Sequence, residues 1–181
     1  MADRDLAWET LDSDIAYSCP GFDVVHDDVR LPDGTETDYD YLDEPPAAVV
    51  LGFTPKGEVV VIEEWRQAVG RVNRGLPAGS MEGEEDPERA ARREFTEETG
   101  YEADSMEFLL ATEPANGVTD TVHHHFLAEG CTPTGEQALD DDEEIDVGTV
   151  AYEELLRSVL AGDVRDGRTA LTVLFHAAKA E

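Results

Sequence analysis

Hydrophobic and polar positions alternate in short runs over most of the chain, and only three stretches carry the wider spacing of a helix. Residues 22–30 (FDVVHDDVR) pattern as a strand, Leu31-Pro32-Asp33-Gly34 is a turn sequence, and 35–42 alternates toward Tyr39 and Tyr41. Together they predict a β-hairpin. Asp43-Glu44-Pro45-Pro46 breaks the pattern, so a boundary is expected near residue 45, separating an N-terminal β module (1–45) from a main domain (46–181). Beyond it, 47–53 and 59–62 are apolar runs suited to buried strands around the turn Thr54-Pro55-Lys56-Gly57. Residues 70–80 hold three glycines and little periodicity, so they read as loop or short strand. Asp86-Pro87 has the chemistry of a helix start, with Asp as N-cap and Pro in the first turn, and Gly100 ends that helix after Thr99. Residues 106–112, 123–128 and 145–150 read as strands, 140–144 as an acidic loop, and 152–160 and 167–179 as helices. Strands and helices mixed in this order predict an α+β fold or a three-layer sandwich and exclude a doubly wound parallel sheet.

Charge narrows the function. The 181 residues include 43 acidic and 13 basic side chains, a formal net charge of -30. Nucleic-acid binding needs basic surface to displace counterions, and anionic membranes repel such a protein, so neither is an expected partner. Of the basic residues only Lys56 and Lys179 are lysine. Acids spread along the whole chain with almost no lysine resemble the surface of a salt-adapted protein, for at ~1 M salt the Debye length is ~3 Å and self-repulsion is screened. Cys19 and Cys131 lie far apart without a CxxC, the acidic N-terminus lacks the apolar segment of a signal peptide, and no apolar run approaches a membrane span. A cytoplasmic protein with two reduced thiols is expected.

The chemistry concentrates in residues 79–101 (GSMEGEEDPERAARREFTEETGY). Glu94, Glu97 and Glu98 fall at i, i+3 and i+4, one face of the predicted helix. Three stacked carboxylates repel, and a cation among them removes that cost. Oxygen-only ligands favour a hard metal, Mg²⁺ or else Mn²⁺, and Mg²⁺ takes substrate phosphates as co-ligands, so phosphoryl transfer to water is the implied chemistry. The run His123-His124-His125 invites a zinc reading, but on a strand His123 and His125 share one face and His124 the other, so no joint site is expected. Trp8 and Trp65 suit either core packing or base stacking.

The glutamates sit in the spacing Gly79-x5-Glu85-x7-Arg93-Glu94-Phe95-x-Glu97-Glu98-x-Gly100-Tyr101, which resembles the Nudix box, with aromatics in the two apolar slots. The resemblance runs over roughly residues 15–180 and is nearest to the ADP-ribose pyrophosphatases: Leu76-Pro77-Ala78-Gly79 leads into the box, preceded here by Gly75 where that branch has Glu. Trp65-Arg66-Gln67, Pro114, and Gly162-Asp163-Val164-Arg165-Asp166 with Thr169 match further segments. The resemblance implies an α/β/α sandwich with a mixed sheet, and metal held by Glu94, Glu98 and the carbonyl of Ala78. It gives Glu97 to the metal or its bound water, and has Arg93 orient a carboxylate, Glu85 being favoured. It also implies that Arg66 meets substrate phosphate, that Asp120 in Thr119-Asp120-Thr121 lies on the ribose side, and that the N-terminal hairpin helps form a homodimer and part of an adenine pocket. Because metal-bound carboxylates are poor bases, a mobile loop carboxylate is expected to activate water; Glu143 or Glu144 fills that place, with Glu97 next. The expected reaction is Mg²⁺-dependent hydrolysis of a nucleoside diphosphate derivative, ADP-ribose first, to AMP and ribose 5-phosphate. A nucleoside triphosphate pyrophosphohydrolase and a non-catalytic ADP-ribose sensor are the alternatives. The first is usually shorter and lacks the hairpin, and the second expects a damaged box or an attached DNA-binding domain.

Overall fold

The computed structural model describes residues 6–140 and 143–179, and the chain separates into two compact units. The first comprises residues up to Pro45 with Ala115–Thr121; the second comprises Pro46–Pro114 with Val122–Glu181.

The first unit is a three-stranded antiparallel meander, not a hairpin: β1 (Glu9–Cys19), β2 (Phe22–Arg30) and β3 (Glu36–Asp43) lie in that order. The sequence pattern finds β2 and β3 and misses β1, whose residues are nearly all exposed and so carry no apolar alternation to read. Cross-strand pairing sets Asp14, His26 and Asp40 in one row and Asp12, Asp28 and Asp38 in the next. His26, Asp38 and Asp40 are the only such side chains among the described residues whose donor atoms converge within 4.8 Å as a trio. His26 Nδ1 lies 2.7 Å from Asp40 Oδ1, which raises the imidazole pKa. Val25 and Val29, one position out of phase, point to the opposite face and are buried. Tyr39 lies on that second face, and its hydroxyl donates to the carbonyl of Gly117 at 2.7 Å.

The second unit is a mixed sheet between helices. Its strands are β4 (Ala47–Phe53), β5 (Glu58–Arg66), β6 (Arg71–Gly75), β7 (Ala78–Ser80), β9 (Ser105–Thr112), β10 (His123–Glu129) and β12 (Ile145–Ala151); β8 (Tyr101–Glu102) pairs separately with β11 (Thr132–Pro133). The order is β12-β5-β4-β10-β9, with β6 on β5 and β7 on β4. The β4–β10 pair is parallel and its neighbours are antiparallel. Alternation along β4 divides the core. Ala48 and Val50 join Phe95, Ala90 and Ala91 of α1 (Pro87–Thr99), while Val49 and Leu51 meet Leu155 and Val159 of α2 (Tyr152–Ala161) and Val173 of α3 (Gly167–Lys179). The result is the expected α/β/α arrangement. Residues 70–80, which had no clear pattern, contain the short strands β6 and β7.

Among the described residues, no helix is long and apolar enough to cross a membrane. Cys19 and Cys131 are free thiols. The three histidines divide as strand geometry requires: the rings of His123 and His125 are neighbours, tilted 60° with centroids 6.4 Å apart, and His124 turns to Phe108. His125 is fully buried, with its ring nitrogens 3.0 Å from Thr112 Oγ1 and 2.7 Å from Thr172 Oγ1. Burial, helped by the charges of His123, His124 and Arg168, pushes its pKa down from 6.5 to about 4.

An imidazole with a depressed folded pKa contributes stability above the unfolded value of 6.5, and loses it as pH falls toward 4. The loss amounts to roughly 3 kcal/mol at 1.4 kcal/mol per pH unit. Urea unfolding at constant salt is expected to show the wild type losing about that much more than His125→Asn between pH 7 and pH 4. Equal slopes would remove the assignment.

Candidate active site

The site grows from the start of α1. Asp86 Oδ1 accepts from the backbone N–H of Glu88 at 3.1 Å and of Arg89 at 3.2 Å, Pro87 occupies the first turn, and Gly100 closes the helix at φ 68°. Such a cap contributes about 1 kcal/mol. Phe95, 1% exposed, anchors the inner face against Gly52, where an added Cβ would stand 2.8 Å from the ring. With Phe95 pointing into the sheet, Glu94 and Glu98 turn toward the segment 76–80.

Three contacts fix the carboxylates. Glu98, only 3% exposed, accepts from the Ala78 N–H at 2.9 Å. Glu94 fills the space where a side chain at position 79 would begin, so any larger residue there would displace that carboxylate. Arg93 binds Glu85 at 2.9 Å, Glu94 at 2.7 Å, Glu97 at 3.1 Å and the carbonyl of Ser80 at 3.1 Å. Arg93 Nη1 thus bonds both Glu94 and Glu97, and the three glutamates do not draw their oxygens into one trio as His26, Asp38 and Asp40 do.

Electrostatics show what the cluster lacks. Burial, with the charges of Glu94, Glu143 and Glu64, pushes the Glu98 carboxyl up to about 8. Glu94 is raised as well, first by burial and then by Glu97 and Glu143 against the pull of Arg93. Arg93 is raised, chiefly by its bond to Glu85. Buried carboxylates with so little positive charge between them suit a divalent cation, and the all-oxygen donor set of Glu94, Glu97 and Glu98 suits a hard one.

These side chains open on a cavity of about 470 Å³ whose wall includes Arg66, Arg93, Glu94, Glu97, Glu143 and Arg168. A larger groove of about 640 Å³ along β12, between Glu58, Glu63, Arg74 and Glu154, contains no member of the box. Of the residues expected from sequence, Ala78, Glu94, Glu97, Arg66 and Glu143 line the smaller cavity and Glu98 lies beneath it. Glu144 is exposed and forms no part of this wall, whereas Glu143 is half-buried and charges Glu94, Glu98 and Glu64. Asp141 and Asp142 of the acidic loop lie outside the described residues. Asp120 belongs to the other unit, where its Oδ1 accepts from the N–H of Glu44 at 3.2 Å.

Two groups escaped the sequence reading, Glu64 behind the cavity wall and Arg168 in it. Glu64, two residues from Arg66 and so on the same strand face, bonds it at 2.7 Å. Arg168 stands in the match at the start of the last helix, between Asp166 and Thr169. The spacing of Glu64 and Arg66 was the available signal for the first; nothing in the local pattern marks the second.

A family model described as NUDIX domain matches residues 43–171. The chain belongs to the Nudix family. It is 32% identical over 173 residues to an ADP-ribose pyrophosphatase of Bacillus subtilis (strain 168), covering 95% of this chain and 94% of that protein. It is 37% identical over 136 residues to a GDP-mannose pyrophosphatase of Cronobacter sakazakii, covering 69% of each. A crystal structure of an ADP compounds hydrolase superposes with a TM-score of 0.82 at 18% identity, covering 95% of this chain and 93% of that one, a likeness of fold. The stretch from Gly79 to Tyr101 that resembles the Nudix box lies within the matched residues, and the cavity above it is built from α1, β5, α3 and the loop before β12.

Proposed function

We propose that this chain hydrolyses the pyrophosphate bond of a nucleoside diphosphate derivative, with ADP-ribose as the favoured substrate and AMP and ribose 5-phosphate as products. The observation that carries the reading is the pair of half-buried Glu94 and buried Glu98 beside Ala78 and Gly79, both raised by burial, at a cavity that also holds Arg66. The similarity to an ADP-ribose pyrophosphatase along 95% of the chain supports the substrate.

Glu94, Glu98 and the carbonyl of Ala78 would hold Mg²⁺, or Mn²⁺, with Glu97 at its edge. When bound, the metal supplies Lewis-acid stabilisation of the charge that develops on the phosphate oxygens. Arg93 holds Glu94 and Glu97 in place through its bonds to both and to Glu85. Arg66 turns from Glu64 to a substrate phosphate. Glu143 takes the proton of the attacking water, because it reaches the cavity from a loop and is not bound to the box. Release of nucleoside monophosphate, AMP from ADP-ribose, NADH and diadenosine polyphosphates and GMP from GDP-mannose, with and without Mg²⁺, tests the reading. ADP-ribose should be cleaved fastest, and Glu98→Gln should abolish turnover with the fold intact. A preference for GDP-mannose would favour the second reading, a sugar-nucleotide hydrolase, which the 37% identity to a GDP-mannose pyrophosphatase supports.

The general base has its own test. Glu143→Gln is expected to lower kcat about 10²- to 10⁴-fold with KM little changed, and Glu144→Gln to leave it near wild type. Unaltered kcat in Glu143→Gln would pass the role to Glu97.

The N-terminal sheet serves in this reading as the pairing surface of a homodimer and contributes part of an adenine pocket, with Asp120 on the ribose side. Ile15 and Tyr17 of β1, with Trp8 just before it, are apolar side chains left exposed. A two-fold pair is the commonest oligomer. The low lysine content and -30 charge suit a cytoplasm of high salt. Light scattering should give a dimer in ~2 M KCl, and the melting temperature should rise between ~0.1 M and ~2 M KCl as repulsion is screened. A monomer would remove the first expectation, and a flat melting temperature the second.

A further inference from the structure

The cavity wall includes three arginines. Arg93 is committed to three carboxylates, and Arg66 shares its guanidinium with Glu64. The third, Arg168, comes from the first turn of α3, about a hundred residues away in sequence. Its Nη2 lies 3.2 Å and its Nε 3.4 Å from one oxygen of Asp166, and Nη1 makes no hydrogen bond among the described residues. Arg168 and Arg66 also line one small recess together with Glu64 and Asp166, and their charges oppose the burial that raises the Glu64 carboxyl.

Asp166 is held in turn. Its other oxygen accepts from the backbone N–H of Thr169 at 2.8 Å and from the Thr169 hydroxyl at 2.9 Å. The same hydroxyl accepts from the N–H of Leu76 at 2.9 Å. Gly75 makes this approach possible, since a Cβ there would stand 3.0 Å from that hydroxyl. One edge of the guanidinium is therefore tied, through Asp166 and Thr169, to the segment that leads into Ala78 and Gly79. A guanidinium fixed along one edge and open along the other is preorganised for an anion, and its fork geometry suits phosphate oxygens.

We infer that Arg168 is a substrate-binding residue that takes the diphosphate of the bound nucleotide together with Arg66. The assignment rests on the proposed substrate class, a nucleoside diphosphate derivative. The charge balance of the cavity calls for it: a diphosphate brings two negative charges to a wall that already bears Glu94, Glu97 and Glu143, and Arg66 alone is shared with Glu64. Asp166 is a positioning residue in this arrangement, aligning the guanidinium without touching substrate.

The test compares Arg168→Gln and Arg168→Lys with wild type at one KCl concentration. Arg168→Gln is expected to raise KM for the fastest-cleaved nucleotide about 10- to 100-fold, the loss of one or two charge-assisted hydrogen bonds, with kcat within about threefold. The same factor should appear for ADP-ribose and GDP-mannose, whose common part is the diphosphate. Arg168→Lys, which keeps the charge and loses the fork, should fall between. Calorimetric binding of ADP in the presence of Mg²⁺ should weaken in parallel, and this arm does not depend on turnover. If wild type cleaves none of the nucleotides but ADP binding weakens in Arg168→Gln, the proposed reaction fails and the role of Arg168 stands. Unchanged KM and ADP affinity in both variants overturn it. So does a lower melting temperature and kcat with KM unchanged, the result of a purely structural contact with Asp166.

Discussion

Mutual repulsion among carboxylates on one helical face is the constraint around which the second unit is organised. Glu94, Glu97 and Glu98 would separate in water, and the fold instead holds them. Phe95 locks the rotation of α1 against the sheet, Ala78 presents an N–H to Glu98, Gly79 withdraws so that Glu94 fits, and Arg93 joins two of the three acids to Glu85. Each is a small local choice, and together they hold the carboxyl groups close with a single guanidinium, that of Arg93, bonded among them. In the proposed reaction, that shortage of positive charge is what would draw a cation into the cavity and, through the cation, phosphate.

The surrounding architecture follows from the same requirement. The helix that carries the acids is short and capped at both ends, so its register against β4 is fixed. The residues that face its acids come from separate places: Arg66 from the end of β5, Glu143 from the loop before β12, and Arg168 from the start of α3. Strand ends, loops and a helix start are where side chains can converge without occupying core positions.

What could be read in advance depended on whether a signal was local. The box helix was legible because its cap, first turn, acids and terminating glycine all lie within 86–100. The strands of the sheet were legible because they are buried on one or both faces. Strand β1 was not, since a strand without a buried face leaves no period in the sequence. Short strands β6 and β7 exist through their partners β5 and β4, not through propensity. The pair Glu143 and Glu144 could not be separated from sequence, because adjacent loop residues differ only in direction. Arg168 was invisible for a deeper reason: its neighbours Leu76 and Arg66 are distant in the chain, and only the docking of α3 on the sheet brings them within reach.

The two-faced N-terminal sheet has a consequence for how its strands find their alignment. A slip of β2 by one residue against its neighbours would turn His26 and Asp28 inward and Val25 and Val29 outward. Carboxylates sequestered without partners cost far more than the exposed rows they form now. Asp28, with Asp38 and Asp40 of β3 on the same face, therefore serves as a register mark, while Asp23 and Asp27 share the valine face at partly exposed positions; the few buried valines would by themselves specify the pairing weakly.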